Sequence, residues 1–225
     1  MLEIKDLSVR FRNNFEILRG IQLKLYPGEV TTIVGLSGCG KTTFISAING
    51  VLSYHNQSQV DGEIHLNQVP IIDKSLLDIS KHIGTVYQDP DTQIIFSSVY
   101  AELAFALENM CVPTEQIHQT IDQVTSELDI CHLLDRNPNE LSGGEKQLIV
   151  LASILVMGVD VLLLDEIMAQ VDEKGCLLIK QAIRKLKQEG KIILMIEHEL
   201  DHLDISDHVF QLKEGDLIEF NGELL

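Results

Sequence analysis

The sequence predicts an α/β fold built around a mostly parallel sheet, with an antiparallel β part at the start of the chain. The apolar runs VTTIVG, IGTVY, DVLLLD and KIILMI are short and uninterrupted, which is typical of parallel strands covered on both faces. The first thirty residues differ, because apolar and polar residues alternate there and place Ile21, Leu23 and Leu25 on one face. Helical stretches separate the apolar runs, as expected for an α/β domain.

Helical periodicity is clear in two of these stretches. In residues 115–129, after Pro113 and Thr114, apolar side chains recur at helical spacing at Ile117, Ile121, Val124 and Leu128. A second helix is predicted from about 173 to 189, where Gly190 ends it. The apolar run LIVLASILVMGV, residues 148–159, is interrupted by Asp160 well before the roughly 20 residues that a bilayer requires. We therefore interpret it as a buried helix that leads into a buried strand.

Composition restricts the class of protein and its partners. A chain of 225 residues with 45% hydrophobic residues is long enough for one α/β domain with a sizeable core. The net charge of −17 disfavours nucleic acid or an anionic membrane surface as a direct partner. The four cysteines form no CxxC pair and indicate a reducing cytosol, and the charged, alternating start MLEIKDLSVRF does not resemble a signal peptide.

The segment GLSGCGKT, residues 35–42, fits the phosphate-loop pattern GxxxxGK[ST] of P-loop NTPases, between a predicted strand and a predicted helix. Its glycines let backbone N–H groups surround phosphate oxygens, and the helix adds the positive end of its dipole. Lys41 is expected to reach the β and γ phosphates of ATP, and the Thr42 hydroxyl is expected to ligate Mg²⁺. The residues predicted to contact the nucleotide here are Gly35, Ser37, Gly38, Cys39, Gly40, Lys41, Thr42 and Thr43.

Cys39 lies inside this loop, beside Lys41 and the start of a helix. Both neighbours stabilise a thiolate, so a reactive thiol is expected at this position. Alkylation of that thiol should then block ATP, and bound ATP should protect it.

Further polar side chains follow the predicted strands at the edge of the sheet where α/β proteins bind ligands. Asp165 ends the run VLLLD and is expected to bind Mg²⁺ directly or through water, while Glu166 polarises the attacking water. His198 follows KIILMIE, and Gln88 follows IGTVY and could present its amide oxygen to Mg²⁺ or the water. Taken singly, each has a simpler interpretation: solvated acids at a strand end, a satisfied histidine, a surface amide.

The stretch LSGGEKQ, residues 141–147, is a second glycine-rich helix start. One phosphate loop is sufficient for one nucleoside triphosphate, so this second element needs a different anion or a different role. A serine cap followed by an early acidic residue, Glu145, would explain the helix start but not the pair of glycines.

The order of these motifs resembles that of the ATP-binding subunits of ABC transporters, from about Leu2 to about Phe220. An aromatic residue, the phosphate loop, a Gln loop, LSGG, an acidic strand end and a His loop follow one another as in that family. The resemblance implies the ABC ATPase fold, in a single domain over residues 1–225. Within it, the catalytic core lies at about 1–88 and 159–225, and a helical subdomain with the LSGG segment lies at about 89–158.

The resemblance also implies a head-to-tail dimer with a second ATPase subunit, identical or homologous. In such a dimer the LSGG segment of one chain closes over the ATP on the other chain's phosphate loop. Ser142 and the N–H groups of Gly143 and Gly144 then face the γ phosphate from across the interface. Asp172 in AQVD matches the acidic end of the family's D-loop, which runs along that interface.

Phe11 matches the adenine-stacking aromatic of the family, although Tyr is more usual there and a plain core role is the alternative. Three features depart from the family pattern: IMAQVD replaces the usual Pro-Thr start after Glu166, Glu145 replaces Gln, and Leu148 stands where Arg is common. These departures put in doubt the geometry of the D-loop and the coupling that depends on it. They do not put nucleotide binding in doubt.

Residues 87–109, YQDPDTQIIFSSVYAELAFALEN, look like the Gln-loop region of energy-coupling factor importers of vitamins and transition-metal ions. This similarity implies a transmembrane partner, bound through its cytoplasmic coupling helices, and a position at the cytoplasmic face of the membrane. Ile94, Ile95 and Phe96 are expected to line the groove for such a helix, with at least one of them exposed. The alternative is that these three side chains fold back onto the helical subdomain as core. An exporter ATPase, a soluble ABC ATPase acting on nucleic acid or ribosomes, and a regulator without turnover are the alternatives.

Overall fold

The computed structural model describes residues 1–12, 15–54, 58–71 and 74–222. These residues form two compact units. The first unit comprises residues 1–85, 160–166 and 187–225, and the second comprises residues 86–159 and 167–186.

Strands of the described residues are β1 (Leu2–Phe11), β2 (Glu16–Leu25), β3 (Val30–Val34), β4 (Ser58–Leu66), β5 (Val69–Pro70), β6 (Ile83–Val86), β7 (Val161–Asp165), β8 (Ile192–Glu197), β9 (His208–Lys213) and β10 (Asp216–Glu219). The helices are α1 (Lys41–Ile48), α2 (Val51–Tyr54), α3 (Leu76–Ser80), α4 (Val99–Asn109), α5 (Thr114–Glu127), α6 (Gly143–Leu155) and α7 (Glu173–Gln188). Short 3₁₀ helices lie at Pro90–Thr92, Cys131–Leu133, Pro138–Glu140 and Leu200–Ile205.

The first unit contains an antiparallel sheet in the order β2-β1-β4-β5 and a sheet in the order β10-β9-β3-β8-β7-β6. In the second sheet β3 pairs in parallel with β8 and β9, and β7 pairs in parallel with β8. The inward faces of both sheets share one buried core with Phe44 of α1. Ile21, Leu23 and Leu25 belong to this core, as their alternation predicts. The predicted fold class is confirmed.

The register of the parallel sheet brings the ends of three strands to one edge. Val34, the last residue of β3, lies opposite Glu197 of β8, and Asp165 of β7 lies opposite Ile196. The chain therefore leaves β3 into the phosphate loop at the edge where Asp165 ends β7. This arrangement follows from the parallel direction of the strands, since only parallel strands place all their carboxyl ends together.

The second unit contains the helices α4, α5, α6 and α7. Residues 148–155 of the apolar run form the second part of α6, and Leu148–Ala152 are buried. Its burial supports a core helix, and within the described residues no helix combines the length and the apolar content that crossing a bilayer requires.

Residues 173–186 of α7 belong to the second unit, and its last two residues belong to the first. The subdomain bounds given by the family resemblance, with residues 159–225 in the core, stay a prediction. Near their first residues, α6 and α7 approach each other closely. A Cβ atom placed on Gly144 of α6 would lie 2.6 Å from the Cα atom of Gly175 in α7 and 3.2 Å from a methyl group of Val171. Gly144 therefore lets α6 and α7 pack, which is a structural role for one glycine of the LSGG pair.

Gly144→Ala should lower the free energy of unfolding by about 1–3 kcal/mol, because the added methyl group overpacks the contact with Gly175. Gly143→Ala is the matched control, since its Cβ would meet only the Gln170 carbonyl oxygen at 3.4 Å and should not lower stability. Urea denaturation measures both variants. Equal losses for the two variants would contradict the packing role of Gly144.

Candidate active site

The phosphate loop begins after the fully buried strand β3 and ends where α1 begins. Gly40 occupies the N-cap of α1 with φ of 110°, in the left-handed region that glycine tolerates best. No side chain caps this helix end. Ser37, Gly38 and Thr42 are exposed along the loop, so its backbone N–H groups and the end of the α1 dipole can meet a phosphate group.

The ammonium group of Lys41 is buried at the base of this loop. Its side chain is 5% exposed, and Nζ donates to the carbonyl oxygens of Gly35 at 2.7 Å and Leu36 at 3.2 Å. Nζ also lies 3.4 Å from Oε1 of Glu166. A buried cation needs hydrogen-bond acceptors and a partner of opposite charge, which the two loop carbonyls and Glu166 supply here.

Asp165 and Thr42 are brought together at the carboxyl end of β7. The Thr42 hydroxyl lies close enough to the Asp165 carboxylate to lower its pKa, and this carboxylate is almost fully buried. Burial raises the pKa of Asp165, and the negative charge of Glu166 adds to the rise, while Thr42 and Lys41 oppose it. A hydroxyl beside a carboxylate is the donor set that Mg²⁺ prefers, so these two residues fit the predicted metal site.

Glu166 lies between two cationic or potentially cationic side chains. Its Oε2 atom is 3.2 Å from Nδ1 of His198, and its Oε1 atom faces Lys41. The backbone of Glu166 has φ of 51°, which is costly for a residue with a side chain, and its N–H donates to the Ile196 carbonyl at 3.0 Å. This conformation turns the carboxylate at the end of β7 towards the phosphate-loop lysine and His198.

A cavity of about 290 Å³ borders the phosphate loop. Its lining residues are Phe15, Glu16, Ile17, Arg19, Gly38, Cys39, Glu214 and Gly215. Phe15 is 59% exposed there, whereas Phe11 is half-buried at the end of β1 and is not among the lining residues. Sequence reasoning missed Phe15, although the second aromatic of FRNNF was a visible signal. The adenine-stacking role of Phe11 stays a prediction, with Phe15 as a second candidate.

The expectation of a reactive Cys39 thiolate is wrong. The side chain is half-buried, and burial raises the pKa of the thiol above its ordinary value. The charge of Lys41 and backbone hydrogen bonds lower the pKa, but burial is the largest influence. Cys39 is therefore mainly a neutral thiol inside the phosphate loop.

The LSGG segment starts α6 in the second unit. Ser142 is the N-cap, and its hydroxyl accepts a hydrogen bond from the N–H of Glu145 at 3.3 Å. The Glu145 carboxylate accepts in return from the N–H and the hydroxyl of Ser142, both at 2.8 Å. These two donors lower the pKa of Glu145. Ser142 and Glu145 thus form the helix cap that the sequence suggested as one interpretation. Packing explains Gly144 but does not explain Gly143.

The predicted site residues fall into two groups. Lys41, Thr42, Asp165, Glu166 and His198 lie together in the first unit. Gln88, the LSGG residues and Asp172 lie in the second unit. The Gln88 carbonyl accepts from the Gln147 side chain at 2.9 Å, and the Asp172 carboxylate accepts from the Gly175 N–H at 2.9 Å, near the start of α7.

A phosphate loop joined to a strand-end carboxylate defines the class of P-loop proteins that bind nucleoside triphosphates. Residues 18–169 match the family described as ABC transporter. The chain belongs to this family, whose ATP-binding proteins are ATPases.

Similar proteins are found among bacterial transport ATPases. A putative ABC transporter ATP-binding protein from Clostridium perfringens is 36% identical over 223 residues, which cover 97% of this chain and 39% of that protein. The energy-coupling factor transporter ATP-binding protein EcfA from Pediococcus pentosaceus is 31% identical over 222 residues, covering 97% of this chain and 78% of that protein. Against several curated relatives, the chain spans only 34% to 46% of their length.

A solved structure supports the same family. CbiO1 from Clostridium perfringens, described as part of the ABC transporter complex CbiONQ, matches with a TM-score of 0.87 at 32% sequence identity. The match covers 96% of this chain and 86% of CbiO1.

Asp165→Asn should raise the free energy of unfolding at pH 7 while abolishing Mg²⁺-dependent ATP hydrolysis. The pKa of Asp165 is raised in the folded chain, so its ionised form costs stability above that pKa. The gain should vanish as the pH falls below the ordinary aspartate pKa of about 4. Urea denaturation between pH 3 and pH 8 measures the difference.

Glu145→Gln is the control of opposite sign for this measurement. The pKa of Glu145 is lowered, so its carboxylate stabilises the folded chain above the ordinary value, and this contribution is lost as the pH falls through the lowered pKa. The variant should therefore be less stable than the unaltered chain at pH 7, with the difference shrinking in acid. A loss of stability in Asp165→Asn at pH 7 would contradict the burial penalty at Asp165.

Proposed function

We propose that this chain is the ATP-binding and ATP-hydrolysing subunit of a membrane transporter, of the energy-coupling factor type that imports a vitamin or a transition-metal ion. The observation that carries the ATPase part is the contact of Glu166 with both Lys41 and His198 beside the Asp165–Thr42 pair. The importer type is supported by the similarity to EcfA and CbiO1.

In the proposed reaction the phosphate-loop N–H groups and Lys41 hold the β and γ phosphates of ATP. Thr42 and Asp165 would hold Mg²⁺, which when bound neutralises phosphate charge. The role of Gln88, whose amide oxygen would face Mg²⁺ or the attacking water, is proposed from the order of the motifs alone. Glu166 accepts a proton from a water molecule whose oxygen bonds to the γ phosphorus, and the bond between that phosphorus and the β–γ bridging oxygen breaks to leave ADP. His198 holds the Glu166 carboxylate in position through its Nδ1 contact.

A head-to-tail dimer gives the LSGG segment its proposed role. Ser142 and the N–H groups of Gly143 and Gly144 would bind the γ phosphate of ATP held by the partner's phosphate loop. For this, the Ser142 hydroxyl turns from Glu145 to the phosphate. Loss of the γ phosphate removes the bridge, and repulsion between two chains of charge −17 then favours opening.

The proposed surface for the membrane partner lies between the 3₁₀ helix Pro90–Thr92 and α4. Ile95 is 72% exposed, as the sequence predicts, while Phe96 packs on Phe105 with ring centroids 5.1 Å apart. The buried carboxylate of Glu102 accepts hydrogen bonds from the N–H groups of Ile95 and Phe96, both at 2.8 Å. An apolar surface held in this way suits a short amphipathic helix of a transmembrane subunit, which would place the chain at the cytoplasmic face of the membrane.

Glu166→Gln should keep ATP binding and reduce turnover by roughly 10² to 10⁴-fold, because the amide keeps the size of the side chain but cannot accept the proton. The closed, ATP-bound dimer should live longer in this variant. Steady-state phosphate release and size-exclusion chromatography with ATP measure the two effects.

Glu199→Gln is the matched control, because Glu199 also contacts His198, at 3.5 Å, whereas the ion pair of Lys41 is made with Glu166. Its turnover should stay close to that of the unaltered chain. Turnover near the unaltered level in Glu166→Gln would refute the role proposed for Glu166.

Ile95→Ser should weaken the binding of the chain to membranes that contain its transporter partner, while the ATPase activity of the purified chain is unchanged. Leu77→Ser, at an apolar residue of α3 that is 68% exposed, should leave both properties unchanged. Sedimentation with membrane vesicles measures binding. If Ile95→Ser binds normally, or loses ATPase activity together with binding, the coupling surface has been placed wrongly.

A further inference from the structure

The side chain of Gln147 connects α6 to the Gln loop inside the second unit. It is 2% exposed, and Nε2 donates to the carbonyl oxygens of Gln88 at 2.9 Å and Tyr87 at 3.3 Å. Both acceptors are backbone carbonyls, so the amide has to present its NH₂ group to them. Among the described residues its buried Oε1 atom has no hydrogen-bond partner, so the hydrogen bonds made by this side chain all serve the Gln loop.

Two further contacts hold the same segment. Lys146, which precedes Gln147 in α6, has Nζ 2.7 Å from Oδ1 of Asp91 in the 3₁₀ helix Pro90–Thr92. The Tyr87 N–H donates to Oε1 of Gln93 at 2.7 Å, which closes the loop on itself. The backbone around Gln88 is therefore tied to the first two turns of α6, the helix that starts at Gly143.

We propose that Gln147 is a positioning residue for ATP hydrolysis, which fixes Gln88 relative to the LSGG segment so that the two move as one body. This inference rests on the roles proposed above for Gln88 and for the LSGG segment. Gln88 serves the ATP of its own chain, and the LSGG segment serves the ATP of the partner chain. A displacement at one nucleotide is then transmitted to the other through the Gln147 amide.

The physical basis is the cost of breaking buried hydrogen bonds. The carbonyl groups of Tyr87 and Gln88 would lose these donors if the Gln loop moved away from α6. Small displacements of a group that positions a reacting water reduce the rate strongly, whereas ATP affinity depends mainly on the phosphate loop. The connection should therefore affect turnover more than ATP binding.

The test is Gln147→Met, which keeps the length of the side chain and removes both donors. Its kcat should fall by about 10- to 100-fold with KM for ATP nearly unchanged. Because Gln147 acts through Gln88, the same substitution should cause no further loss in a Gln88→Ala background. Gln123→Met, at an exposed residue of α5, controls for the substitution itself and should change neither parameter.

Three other results would contradict the role of Gln147, the role of Gln88 or both. An equal fall in kcat in both backgrounds would make Gln147 a merely structural residue. If Gln88→Ala turns over ATP normally, both the role proposed for Gln88 and its positioning by Gln147 are refuted. If Gln88→Ala is defective and Gln147→Met lowers its kcat further by the same factor, only the positioning by Gln147 is refuted. If Gln147→Met fails to fold, Lys146→Met replaces it, because Lys146 holds the same segment through Asp91. A loss of kcat in Lys146→Met that disappears in the Gln88→Ala background supports the link between α6 and the Gln loop. A loss of the same size in both backgrounds overturns it.

Discussion

The buried ammonium of Lys41 is the constraint on which the catalytic edge of the first unit depends. A cation that is 5% exposed requires fixed partners, and these are the loop carbonyls of Gly35 and Leu36 and the carboxylate of Glu166. The carboxylate reaches Lys41 because β7 ends at the same edge as β3 and because Glu166 accepts an unfavourable backbone conformation. Sheet direction, phosphate-loop geometry and the placement of His198 are all linked to this single buried charge.

The sequence predicted the elements that depend on local patterns. The apolar runs became β3, β6, β7 and β8, and the alternation in the first thirty residues became an antiparallel pair. The phosphate loop was predicted from its spacing, since GxxxxGK[ST] between a strand and a helix has one main physical purpose. Because strand ends of a parallel sheet meet at one edge, the meeting of Lys41, Asp165, Glu166 and His198 also followed from the order of the motifs.

Features that depend on distant parts of the chain were not visible in the sequence. The close approach of α6 to α7 involves Gly144 and Gly175, two glycines that local periodicity does not connect. The Gln147 amide is bonded to carbonyls about sixty residues earlier in the chain. The ionisation of Cys39 was also not predictable from its neighbours in sequence. Those neighbours favour a thiolate, whereas burial in the fold favours the neutral thiol.

In the proposed dimer, the LSGG segment of one chain completes the ATP site of another. The decisive measurement is the ATPase activity of an equal mixture of Lys41→Ala and Gly143→Asp chains, each of which should be inactive alone. Gly143 suits this purpose because a side chain there meets only an ordinary contact with the Gln170 carbonyl. In a head-to-tail pair of the two variants, one site combines an intact phosphate loop with an intact LSGG segment, so the mixture should regain a clear part of the unaltered activity. Activity no greater than the sum of the separate variants would contradict the shared site.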